Sequence, residues 1–142
     1  ALGVFGYSLG GFHAIALAAK DPRVVASVSL AGGLSGHIPH VAVADAAPLM
    51  LIHGTRDRIV PYRRALIARS AWKTSNQPAE LVTLRNVGHV PYGKTRARAL
   101  VTAADFIARH LLNALRPPIP RAEPVVPVPR VPPPSRELAK AR

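Results

Sequence analysis

Near the start of the chain, Gly6-Tyr7-Ser8-Leu9-Gly10 fences a serine with a glycine two positions before it and another two after. A free serine hydroxyl is a poor nucleophile. It becomes useful when a base takes its proton and a carboxylate orients that base. Two later segments carry the residue types required: LIHGTRDRIVP, residues 51–61, holds Asp57, and RNVGHVPYG, residues 85–93, holds His89. A serine, an acid and a histidine in that chain order are a candidate set for acyl transfer, provided the fold brings them to one place.

The surrounding elements are of the kind that would do so. Residues 2–5 (LGVF) read as a short buried strand, and 9–20 (LGGFHAIALAAK) as a helix ended by Asp21-Pro22. Residues 24–31 (VVASVSLA) read as a second strand, followed by a Gly- and Ser-containing loop. The continuous apolar run 49–53 predicts a third, fully buried strand, and 62–75 a helix broken at Asn76-Gln77-Pro78. Residues 80–85 alternate as a fourth strand. A long helix over 95–115 follows, with Ala97, Leu100, Val101, Ala104, Ile107, Ala108, Leu111, Leu112 and Leu115 near helical spacing. The crossover between the second and third strands has room for a short helix at 40–46. Strands separated by helices, without tight hairpin turns, argue for a parallel sheet covered on both faces. In such a sheet the residues just beyond the strand C-termini gather along one edge. Ser8, Asp57 and His89 all stand in those places.

The glycines have a steric reading. A serine lifted on a tight strand-to-helix turn leaves little room for neighbouring side chains. Gly6 and Gly10 would avoid the collision, and Gly11 would loosen the helix start. The free N–H groups of the helix N-terminus would then face the point where negative charge develops.

On the motifs GYSLGG, LIHGTRDRIVP and NVGH, residues 1–115 resemble the C-terminal half of an α/β-hydrolase, similar to the dienelactone-hydrolase-like and serine-esterase branches. The resemblance implies a partial α/β fold of about four parallel strands, equivalent to strands 5–8 of the family, with flanking helices. It implies Ser8 as nucleophile, Asp57 as triad acid, His89 as base and the Leu9 N–H as one oxyanion donor. Its substrate would be a small-molecule ester or related acyl compound, with no cofactor and no metal. Typical dienelactone hydrolases use Cys where this chain has Ser8, which points toward esterase, lipase-like or peptidase-like relatives. The family's first four strands and the loop bearing its second oxyanion donor have no counterpart here. The expectations are therefore an unpaired edge at residues 2–5, open to a missing N-terminal half or to self-association, and weak or absent turnover by this chain alone. The alternative reading is an inactive hydrolase remnant whose basic, proline-rich tail serves interactions.

Other residues carry less. His53 ends a buried strand and reads as a packed or hydrogen-bonded structural residue, as does His13 on the first helix. His37 and His40 lie three apart without a Cys or acid nearby, which does not make a metal site. Asp45 is an acid on the wrong side of its strand. Arg56 and Arg58 read as a solvated rim, and Tyr7 as a neighbour of the acyl site.

Composition divides the chain. Nine of the fifteen prolines follow Arg116, so 1–115 reads as the folded segment and 116–142 as a disordered, proline- and arginine-rich tail. The net charge is +12, but no Lys/Arg block is longer than two and no aromatic residues interleave with the basic ones, so no nucleic-acid partner is expected. The sequence has no cysteine, which excludes disulfides and leaves the compartment open. No apolar run approaches the roughly 18 residues of a membrane span.

Overall fold

The computed structural model describes residues 1–34 and 45–116. All but the first residue of the expected tail, His37, His40 and all but the end of the expected helix at 40–46 lie outside those residues. The described elements are β1 (Leu2–Tyr7), α1 (Leu9–Lys20), β2 (Val24–Leu30), β3 (Leu49–Gly54), α2 (Arg63–Thr74), β4 (Ala79–Leu84) and α3 (Gly93–Leu115). Their order is the one the sequence predicts, with boundaries within two residues.

All four strands run parallel, in the spatial order β1-β2-β3-β4. Successive side chains on a strand face opposite ways, and β3 uses both faces. Leu49 and Leu51 pack with Ile15 and Ala18 of α1 and with Ala65, Ala68 and Trp72 of α2. Met50 and Ile52 pack with Ala99, Ala103 and Phe106 of α3. Helices α1 and α2 therefore cover one face and α3 the other, and β3 is buried throughout.

Close approach sets how α1 sits on the sheet. Strand β2 turns Ser27 and Ser29 toward that helix, both buried, and Ser27 Oγ donates to the carbonyl of Ala14 at 2.8 Å. A Cβ on Gly11 would lie 2.7 Å from Ser29 Oγ and 3.0 Å from the Gly32 backbone. Gly11 therefore serves close helix-to-sheet contact, a role that the sequence reading did not assign to it.

Helix α3 also differs from its predicted face. Its buried residues are Ala99, Ala103 and Phe106, whereas Leu100, Val101, Leu112 and Leu115 are exposed. The small side chains at 99 and 103 let the helix lie close on the sheet, and that narrow stripe outranks the wider apolar spacing. On β1, Leu2, Phe5 and Tyr7 are partly exposed and, among the described residues, the strand pairs only with β2. No helix among the described residues is long and apolar enough to cross a membrane.

Trp72 is the largest fully buried side chain, and its indole N–H donates to the carbonyl of Ala47 at 2.9 Å. Trp72→Ala leaves a cavity and an unpaired carbonyl. We expect a loss of about 3–5 kcal/mol in urea unfolding, a large share of a typical stability of roughly 5–15 kcal/mol.

Candidate active site

Ser8 stands between β1 and α1 with φ 53° and ψ −117°, a left-handed backbone that non-glycine residues seldom adopt. The surroundings hold it there. Its N–H donates to Leu30 O at 2.8 Å, and its own carbonyl accepts from Gly11 N at 2.9 Å and Phe12 N at 3.3 Å. Its hydroxyl makes no helix-capping bond, so it remains available to another partner.

Of the two flanking glycines, one is required by sterics. A Cβ on Gly6 would run into the Gly10 carbonyl and lie 2.8 Å from Gly11 N, whereas a Cβ on Gly10 would meet nothing within 4 Å. The collision expected at Gly10 is thus absent. Gly10 points out of the turn, while Gly6 lies beneath the helix start.

Two more loops meet Ser8. Asp57 follows β3, and its side chain is fully buried. Its Oδ1 accepts from the N–H groups of Ile59 at 2.9 Å and Val60 at 2.8 Å. His89 follows β4, with Nδ1 2.8 Å from Asp57 Oδ2 and Nε2 2.9 Å from Ser8 Oγ. An ionised carboxylate can only accept, so Nδ1 carries the proton and Nε2 accepts from the serine hydroxyl. Burial pushes the Asp57 carboxyl up. The His89 hydrogen bond and the Val60 and Ile59 amides outweigh it and hold the group below the ordinary carboxylate range.

The two loops are stitched together. Arg56 N donates to Val87 O at 2.9 Å, Thr55 N to Leu84 O at 3.0 Å, and Asn86 N to Thr55 Oγ1 at 2.9 Å. Gly54 makes this approach feasible, because a Cβ there would strike the carbonyls of Val87 and Gly88. Sequence reasoning did not single out Gly54, although a glycine directly ahead of the acid's loop was a readable signal.

The remaining candidates fall into place around this set. Leu9 is the first residue of α1, and the first N–H groups of a helix have no intrahelical acceptor. The Tyr7 hydroxyl faces the carbonyl of His89 at 3.4 Å, with the two rings 5.4 Å apart. Burial and the negative charge of Asp57 push its phenol up. An open groove of about 490 Å³ lies beside His89, lined by Asn86, Val87, Val90, Tyr92 and Thr95 among others. Arg56, Arg58, Asp45 and His13 are exposed. His53 is buried, with Nε2 2.9 Å from the carbonyl of Val60.

The dienelactone hydrolase family model matches residues 1–110. The chain belongs to the dienelactone hydrolase family. Solved structures agree on the α/β-hydrolase fold. A candidate dienelactone hydrolase from Klebsiella pneumoniae superposes with a TM-score of 0.66 at 22% identity, over 76% of this chain and 52% of that one. A dienelactone hydrolase-like promiscuous phosphotriesterase, P91, from metagenomic libraries gives 0.65 at 18% identity, over 76% and 52%. A single-substitution variant of SOBER1 from Arabidopsis thaliana gives 0.64 at 21% identity, over 77% and 52%. This dienelactone hydrolase family member thus spans about half the length of those structures. No curated protein sequence matches it.

Two outcomes test the site as a piece of structure. Gly6→Ala should lower the melting temperature sharply or prevent folding, because backbone must move. Gly10→Ala should be neutral or stabilising by up to about 1 kcal/mol, the helix preference of Ala over Gly. The second concerns acid. A carboxyl held below its unfolded value of about 3.9 contributes stability that is present above that value and is lost as pH falls through the folded one. Below about pH 4, the wild-type melting temperature should therefore fall more steeply than that of Asp57→Asn, and parallel curves would contradict the assigned environment.

Proposed function

We propose that this chain carries the catalytic residues of a serine hydrolase that cleaves an ester or related acyl bond. The observation supporting this reading is the unbroken hydrogen-bonded chain from Ser8 Oγ through His89 to Asp57. Family membership supports the broader reading as a hydrolase.

In this mechanism Ser8 Oγ attacks the acyl carbon as His89 Nε2 takes the hydroxyl proton. Asp57 holds the ring in the tautomer that accepts there, and its charge stabilises the imidazolium. The N–H of Leu9 donates to the oxyanion as the carbonyl becomes tetrahedral. One such donor contributes roughly 10²–10³ in rate. The tetrahedral intermediate collapses by breaking the bond to the leaving oxygen, which takes the proton from His89. Water, deprotonated by the same nitrogen, then releases the acid and restores the Ser8 hydroxyl. Composition supports taking 1–115 as the hydrolase segment and 116–142 as a separate tail.

A fluorophosphonate probe tests the assignment on the full chain. Labelling should map to Ser8 by peptide mass spectrometry and disappear in Ser8→Ala. Asp57→Asn should slow it by about 10⁴ through the wrong imidazole tautomer, and His89→Ala at least as much. An adduct at another residue, no adduct at all, or a rate indifferent to His89→Ala would overturn the proposal.

A further inference from the structure

His53 is 1% exposed and lies against the acid of the relay, yet the mechanism above gives it no task. It stands near the end of β3, the strand buried along its whole length. Its Nε2 lies 2.9 Å from the carbonyl oxygen of Val60 and 3.1 Å from Asp57 Oδ2. Both neighbours are acceptors, a peptide carbonyl and an ionised carboxylate, so Nε2 carries the proton. The other ring nitrogen, Nδ1, has no hydrogen-bond partner among the described residues. The ring thus directs its only N–H at the turn that carries Asp57.

That turn is held from both sides. Val60 donates its N–H to Asp57 Oδ1 at 2.8 Å, and its carbonyl receives the N–H of His53 at 2.9 Å. The ring is itself fixed edge-on to Tyr62, with centroids 5.9 Å apart, and the Tyr62 hydroxyl lies 2.6 Å from Thr83 Oγ1 on β4. Asp57 Oδ1 is pinned by two amides. Oδ2, the oxygen that meets His89, has no backbone donor among the described residues. Its neighbours are the two histidine nitrogens, His89 Nδ1 at 2.8 Å and His53 Nε2 at 3.1 Å.

We propose that His53 is a positioning residue for Asp57, its Nε2–H holding the 57–60 turn and the Oδ2 edge of the carboxylate in the orientation that His89 requires. The inference rests on the reading of Ser8, His89 and Asp57 as a catalytic triad, and it assigns His53 no contact with substrate. Without the N–H, Val60 loses the bond that fixes its carbonyl, and the carboxylate can rotate while keeping its Oδ1 amides. The base would then sample misaligned positions, and a displacement of about 1 Å is enough to cost roughly 10²-fold in rate.

The full chain, ¹⁵N-labelled at histidine, provides the test. Long-range ¹H–¹⁵N spectra should show His53 in the Nε2-protonated tautomer and a downfield, exchange-protected Nδ1 proton on His89. His53→Leu keeps apolar bulk and removes the donor. It should broaden or erase the His89 signal and slow fluorophosphonate labelling of Ser8 by about 10–100-fold. His53→Gln places an amide N–H near the Nε2 position and should restore most of both. An Nδ1-protonated His53 in the wild type, an unchanged His89 signal in His53→Leu, or a His53→Gln no better than His53→Leu would each overturn the proposal. Should His53→Leu fail to fold by circular dichroism, the wild-type tautomer and the His89 signal of His53→Gln decide. A wild type that leaves Ser8 unlabelled, yet shows the Nε2 tautomer and a His89 signal sensitive to position 53, refutes the hydrolase reading and leaves the positioning role standing.

Discussion

The Asp57 carboxylate is the point at which the parts of this molecule are tied together. It is fully buried, and a buried charge persists only if its lone pairs are met by donors. The amides of Ile59 and Val60 meet one oxygen, and His89 and His53 approach the other. Meeting that demand requires the loop after β3 to fold back on itself and the loop after β4 to lie across it. The same arrangement leaves the far nitrogen of His89 facing Ser8 across the strand ends. Electrostatic satisfaction of one group and assembly of the site are therefore the same geometric condition.

Close backbone approach is the second constraint, and glycine meets it at the places that matter. Gly54 lets the loop carrying His89 come down onto the end of β3, and Gly6 lets α1 begin directly above β1. The strained backbone at Ser8 is tolerated because its N–H and C=O are both engaged, one by β2 and the other by the first turn of α1. Beneath them, Gly11 and Gly32 meet beside Ser29. Small residues, rather than large apolar ones, thus govern how near the helix stands to the sheet, and with it the height at which the serine is held.

Much of this was legible in the sequence. The apolar run 49–53 fitted an inner strand, and the breaks at Asp21-Pro22 and Asn76-Gln77-Pro78 delimited two helices. Three loops with Ser, Asp and His, after the first, third and fourth strands, marked one edge of a parallel sheet. What stayed hidden depends on distances that spacing does not encode. Gly10 looks as constrained as Gly6 until the turn is seen to point it outward. The apolar residues of α3 outnumber those the sheet can cover, so periodicity alone could not select Ala99 and Ala103. His53 and Asp57 are four apart, with a strand end and a loop between them. Only the return of the chain at Val60 brings the ring against the carboxylate.

The spatial order of the strands repeats their order along the chain, and this has a bearing on how the site comes into being. Among the described strands, β2, β3 and β4 each pair with the strand before them in the chain, so this part of the sheet can grow in the sequence of synthesis. The serine and its histidine, however, are 81 residues apart, and the histidine arrives with the last strand. Until β4 docks, a growing chain displays the Ser8 hydroxyl and the Asp57 carboxylate without the imidazole that joins them. The hydrogen-bonded contact between Ser8 and His89 is thus a property of the assembled strands, and a chain that has not yet docked β4 lacks it.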